Sequence, residues 1–185
     1  MEWSEQFTEA EDEIRYAGSL AQYVGQPLRL VRANDAFELR WEEDLLGRLT
    51  RPDRTMLAET RDGCWELRHR RSSVGRIEAV DPSIGAPAAV YKRSMLRPGS
   101  IITGPWPERC RFRRKLSKPE WTLRDSGGPL LALKQSADVE TFELTILREP
   151  RGPADLGLLA LLCCYVALLD GESRRVAASW PSGGG

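Results

Sequence analysis

The sequence predicts a mainly β protein, a closed antiparallel barrel of about twelve strands enclosing a hydrophobic C-terminal helix. Three observations point there. Short segments of alternating polarity follow one another from Leu28 to Glu149, each closed by Gly, Pro, Asp or Ser. The run "LGLLALLCCYVALL", Leu156 to Leu169, then breaks that pattern with fourteen uncharged residues. The chain of 185 residues is also long enough for one domain with a core of its own.

Residues 1–26 read as a partly ordered acidic leader. A short helix from Glu9 to Val24 is expected there, weakened by Gly18 and stopped by Gly25 and Pro27. The strand candidates follow as "LRLVR", "AFELRW", "LLGRLT", "TMLAET", "CWELRHR", "VGRIEAV", "PAAVYKR", "SIITG", "RCRFRRK", "EWTLRD", "LLALKQ" and "TFELTILRE". In most of them apolar residues take every second position, so one face turns inward and the charges turn to solvent. A hairpin motif recurs: "FELRWEEDLLGRL" from Phe37 and "WELRHRRSSVGRI" from Trp65 each set an aromatic-x-Leu-Arg ahead of a Gly-Arg-aliphatic. A shortened form, "WTLRDSGGPLLAL", begins at Trp121, and "FELTI" at Phe142.

The helix is assigned to residues 154–169, with Pro153 suited to a first helical position, Asp155 in the first turn and Asp170-Gly171 as its end. Fourteen residues make a helix of only ~21 Å, against the ~30 Å of a hydrocarbon layer. Apolar side chains cover every face of it, so protein must sheath it, and the preceding sheet is the material at hand. "SRRVAAS", Ser173 to Ser179, is then expected to return as a closing strand. The barrel domain spans 27–180, and 181–185 is a disordered tail.

Lys plus Arg and Asp plus Glu number 27 each, but six acidic residues, Glu2, Glu5, Glu9, Glu11, Asp12 and Glu13, precede any basic one. The remaining 21 acids face 27 bases, so the body is mildly basic. The four cysteines lack disulfide or zinc spacing and behave as small hydrophobes. The N-terminus has no basic region followed by an apolar one, so a signal peptide is not expected and a cytoplasmic location is.

The order of "FELRWEEDLLGRL", "CWELRHRRSSVGRIEAV", "EWTLRDSGGPLLALKQ", "FELTI" and "PADLGLLALLCCYVALLD" resembles the tubby C-terminal-like superfamily, which includes LURP-one-related proteins and phospholipid scramblases. The resemblance covers roughly Leu28 to Ser179. It implies a twelve-stranded barrel around the Leu156 to Leu169 helix and an anionic-lipid surface, phosphoinositide above all, drawn from basic residues of the wall. The chain departs from the scramblases in lacking a cysteine-rich cluster near its start, and Asp155 and Asp170 stand at opposite ends of the helix.

Catalytic patterns are thin. The single histidine, His69, shares strand parity with Trp65 and Leu67 and is expected to point inward. No G-x-S-x-G elbow, phosphate loop or C-x-x-C pair accompanies it. For an enzyme site at one barrel end, the candidates would be His69 and the carboxylates around Glu66, Glu78 and Asp81. No catalytic residue, cofactor or metal is assigned. The strongest polar feature is "ERCRFRRKLSK": Arg109, Arg111, Arg113 and Lys115 fall on one strand face, with Lys118 just beyond. Arg68, Arg70 and Arg71 form a second cluster. These eight cations are the candidate site, for anionic membrane lipid or an acidic protein, with nucleic acid the weaker match because only Phe112 interleaves them and it points inward. The expected function is a non-enzymatic, soluble binding module, peripheral at a membrane. A scramblase-like protein, a protein-interaction scaffold and an enzyme with a site at one barrel end are the alternatives.

Overall fold

The computed structural model describes residues 14–52, 55–70, 75–93, 99–137 and 141–178. Its strands are β1 Pro27–Ala33, β2 Ala36–Trp41, β3 Asp44–Thr50, β4 Met56–Thr60, β5 Gly63–Arg70 and β6 Arg76–Val80. They continue as β7 Pro87–Arg93, β8 Ser100–Thr103, β9 Cys110–Arg114, β10 Glu120–Asp125, β11 Gly128–Gln135 and β12 Phe142–Ile146. All twelve segments read from alternating polarity are strands. Each pairs antiparallel with its neighbour in the chain, and β1 closes on β12 from Pro27 opposite Thr145 to Leu30 opposite Phe142. No sheet edge remains.

The recurring hairpin motif has a structural counterpart. In β2 the register shifts between Leu39 and Arg40, and in β10 it shifts between Leu123 and Arg124, at the same Leu-Arg step. Such bulges bend and twist a strand, which helps a sheet to close.

The helix α1, Leu156–Ala178, threads the barrel. Every residue from Leu156 to Ala167 is buried. Asp155 caps the helix rather than lying within it: its Oδ1 accepts the Leu158 N–H at 2.9 Å and its carbonyl the Leu159 N–H at 3.0 Å. Pro153 therefore precedes the cap. The C-terminal end also differs from expectation, since the backbone is helical from Gly171 to Ala178, where Ser173 to Ala178 are expected to form a strand. A glycine costs a helix only about 1 kcal/mol relative to alanine, and the β1–β12 pairing leaves no edge for a further strand. Ser179 and the tail at 181–185 lie outside the described residues.

The helix runs closest to one wall. Its nearest strands are β3, β4 and β5. A Cβ on Gly47 would lie 3.3 Å from Leu161 Cδ2, and one on Gly157 would lie 3.0 Å from Thr60 Oγ1. Both glycines let backbones approach where any larger residue would push the helix away. Across the barrel, Tyr91, Phe112, Trp121 and Phe142 are buried and fill the wider side. At its far end α1 is held by Asp170, 3.5 Å from Arg114 Nε, while the same guanidinium lies over the Trp121 ring at 5.3 Å.

Instead of the helix expected over Glu9 to Val24, a single 3-10 turn, Leu20–Tyr23, forms beside Gly18. Residues 9–13 lie outside the described residues. The segment is laced to the barrel: Leu20 is buried, the Ala17 N–H donates to the Leu45 carbonyl at 2.9 Å, and the Gly25 N–H to the Ile146 carbonyl at 2.7 Å.

Candidate anion-binding face

The strand register assembles a row of cations that the linear sequence disperses. Arg76 on β6 is the Cα partner of Lys92 on β7, Lys92 of Ile101 on β8, Ile101 of Arg111 on β9, and Arg111 of Arg124 on β10. Arg70 on β5 extends the row as the partner of Arg76. From β6 to β10 the row spans four strand spacings, about 19 Å. Arg113 stands one outward position further along β9, opposite Thr122.

Charge compensation on this sector is poor. Strands β7 to β10 carry six cations, Lys92, Arg93, Arg111, Arg113, Arg114 and Arg124, and only two carboxylates, Glu120 and Asp125. Both carboxylates are engaged elsewhere. Glu120 takes the Lys115 ammonium, which holds its carboxyl below the usual range. Asp125 takes Arg148. Burial alone would raise the Asp125 carboxyl, but the bonds from Arg148 and the Gly127 N–H prevail and hold it low. Arg114 is spoken for by Asp170. Lys92, Arg111, Arg113 and Arg124 are exposed and form no ion pair with a described residue. Arg111 and Arg124 face each other directly, an arrangement that costs a sheet a few tenths of a kcal/mol or more.

Of the residues singled out from sequence, Arg109, Arg111, Arg113, Lys115 and Lys118 are all exposed along β9 and the loop after it. Arg68 is exposed on β5, its guanidinium 2.6 Å from Glu66. Arg70 contributes its register position, its side chain lying outside the described residues, as Arg71 does entirely. The two clusters are thus joined through Arg76 and Lys92 and extended beyond β9 by Arg124, three residues that sequence reading missed. Outward parity marked Lys92, next to inward Tyr91, and Arg124, next to inward Leu123. What was lacking was the register that makes them neighbours.

The other polar groups are occupied structurally. His69 is exposed near the end of β5 rather than interior. Its register partner Ile77 is buried, so inward parity by itself does not bury a side chain at this position. Glu66 pairs with Arg68, Glu78 lies 2.6 Å from Arg76, and Asp81 accepts the Ser83 N–H and hydroxyl in a turn at the opposite barrel end from His69. The cysteines are free thiols, and burial pushes Cys110 up to about 11 and Cys164 up to about 12. Among the described residues no group of three His, Cys, Asp or Glu is placed to hold a metal ion. No helix among them is long and apolar enough to cross a membrane.

No family model and no curated protein matches the chain. An X-ray structure of a protein from Arabidopsis thaliana is similar with a TM-score of 0.35 and 10% identity, over 82% of this chain and 96% of that one. So distant a likeness carries no argument, and the fold stands on the closed barrel and its enclosed helix.

Proposed function

We propose that this chain is a non-enzymatic binding module of the tubby-like or LURP-one-like type that associates with anionic membrane lipid through the β6–β10 face. The observation behind the proposal is the set Lys92, Arg111, Arg113 and Arg124, which the register aligns across β7 to β10 with Ile101 between Lys92 and Arg111, and which has no carboxylate partner among the described residues. An unpaired cation row repels itself in isolation and is relieved when an anionic surface meets it. Each Lys or Arg brought to such a surface contributes about 1 kcal/mol. Four of them give roughly a thousandfold preference for anionic over neutral lipid. The closed barrel around a C-terminal helix supports the family reading. The function requires a cytoplasmic location, peripheral at the anionic inner leaflet.

Flotation tests this. The protein is expected to rise with vesicles containing phosphatidylserine or phosphoinositide at about 0.1 M salt and to stay behind with neutral ones. The double variant Arg111→Glu, Arg113→Glu is expected to abolish recovery without changing the fold. Equal recovery on neutral and anionic vesicles would remove the lipid reading, and a protein partner captured equally by wild type and the double variant would favour an interaction scaffold.

A further inference from the structure

The loop joining β9 to β10, residues 115–119, ends the cationic strand in an apolar tip. Leu116 is 96% exposed, the most exposed large hydrophobic side chain among the described residues. Its neighbours Lys115 and Lys118 are exposed cations, and Arg113 lies three residues before it. The loop is held in shape at its base, where the Lys115 N–H donates to the Glu120 carbonyl at 2.8 Å and the Gln135 N–H to the Pro119 carbonyl at 2.9 Å. Among the described residues Leu116 packs on nothing, so its exposure has no structural return.

The other strongly exposed hydrophobe is Ile84, at 73%, in the loop between β6 and β7 at the opposite end of the barrel. Its near neighbours are Asp81, Pro82 and Ser83, with no cation among them. The Leu116 loop thus couples an apolar tip to positive charge, and the Ile84 loop does not.

We infer that the 115–119 loop is a membrane wedge: Leu116 enters the acyl boundary of an anionic bilayer while Lys118 and Arg113 meet the headgroups. The inference rests on the lipid reading above and adds how the barrel approaches: the β9 tip enters first, and the rest of the β6–β10 face stands within about a Debye length of the headgroups rather than flat against them. An interfacial side chain sits about 5–10 Å below the headgroup boundary. At ~3.3 Å per strand residue, Arg113 trails Leu116 by no more than about 10 Å and Arg111 by about 17 Å. Arg113 therefore reaches the headgroup layer, whereas Arg111 and Arg124 lie further up the wall. A broadside approach would load Lys92, Arg111, Arg113 and Arg124 evenly and leave Leu116 in water.

The test compares phosphatidylcholine vesicles with and without phosphatidylserine, alongside retention on a heparin column as a polyanion without a bilayer. Leu116→Ser is expected to weaken binding to phosphatidylserine vesicles about tenfold, with unchanged Tm and unchanged heparin retention. Ile84→Ser is expected to change neither, and Arg113→Glu to cost more on vesicles than Arg124→Glu. Full vesicle binding by Leu116→Ser, with loss in the Arg111→Glu, Arg113→Glu variant, would overturn the wedge and leave the lipid reading intact. Equal weakening of Leu116→Ser on vesicles and heparin would also overturn it, since the effect would then lie in the loop and not in insertion. Failure of the wild type to bind phosphatidylserine vesicles would overturn both.

Discussion

The β2–β5 wall and the β7–β10 wall belong to one sheet but carry their charges differently. Strands β2 to β5 hold four carboxylates, Glu38, Asp44, Glu59 and Glu66, and four arginines. Glu38 lies 2.7 Å from Arg40 and 3.9 Å from Arg48, and Arg48 is opposite Glu59 in register. The segment before β1 lies against this side: Tyr16 is partly buried, and desolvation followed by the Glu59 charge pushes its phenol up. Inside, the helix presses on the same strands through Gly47 and Gly157. The β7–β10 wall has the opposite character, with aromatic side chains inside and six cations to two engaged carboxylates along it. One wall is built for stability. The other carries a charge imbalance that folding does not need, and surplus charge of that kind is where a partner is to be sought.

The largest effect should come from the core the two walls share. Leu159 and Leu162 are fully buried in α1, and Leu159→Ala or Leu162→Ala is expected to cost about 2–5 kcal/mol in denaturant unfolding. That is a large part of the 5–15 kcal/mol typical of a domain.

An intermediate effect separates the one buried ion pair of the β10 end from the free row beside it. The Asp125 side chain is 2% exposed and bonded to Arg148. Because its folded-state pKa is depressed, the stability it contributes is complete above about pH 4, where the unfolded carboxyl also ionises. It is lost as pH falls through the lower folded value. Arg148→Met leaves burial opposed only by backbone N–H bonds such as that from Gly127, so the acid-unfolding midpoint should move to higher pH, with a loss of about 1–3 kcal/mol at neutral pH. A midpoint that stays put would show that the pair is not formed in solution.

The smallest effect is also the most diagnostic. Arg124→Glu turns the like-charge partner of Arg111 into an opposite one, so stability should rise by about 0.2–1 kcal/mol while binding to anionic vesicles falls. A variant that gains stability and loses binding would mark the row as kept for function. Loss of both would make it structural.

The barrel was legible because alternation with period two survives in most strands, and because fourteen uncharged residues, Leu156 to Leu169, must be enclosed by something. Local signals did less well at the ends of elements. Gly171 read as a stop, yet a helix already anchored in the core carries a glycine at small cost, and His69 read as interior from a parity that leaves it exposed although its cross-strand partner Ile77 is buried. The site was half legible. "RCRFRRK" announces itself because its cations take alternate, outward positions along one strand, so sequence alone determined the β9 part of the face, while the exposed tip at Leu116 came only from the structure. Arg76, Lys92 and Arg124 stand alone in three different strands, and whether they are neighbours depends on hydrogen-bond register, which shifts at Ala79/Val80 and again at Leu123/Arg124. One residue of slip would send each to the other face of the sheet. Only the closed tertiary structure fixes that register, because twelve strands must meet end to end around one helix before any cross-strand pair is defined.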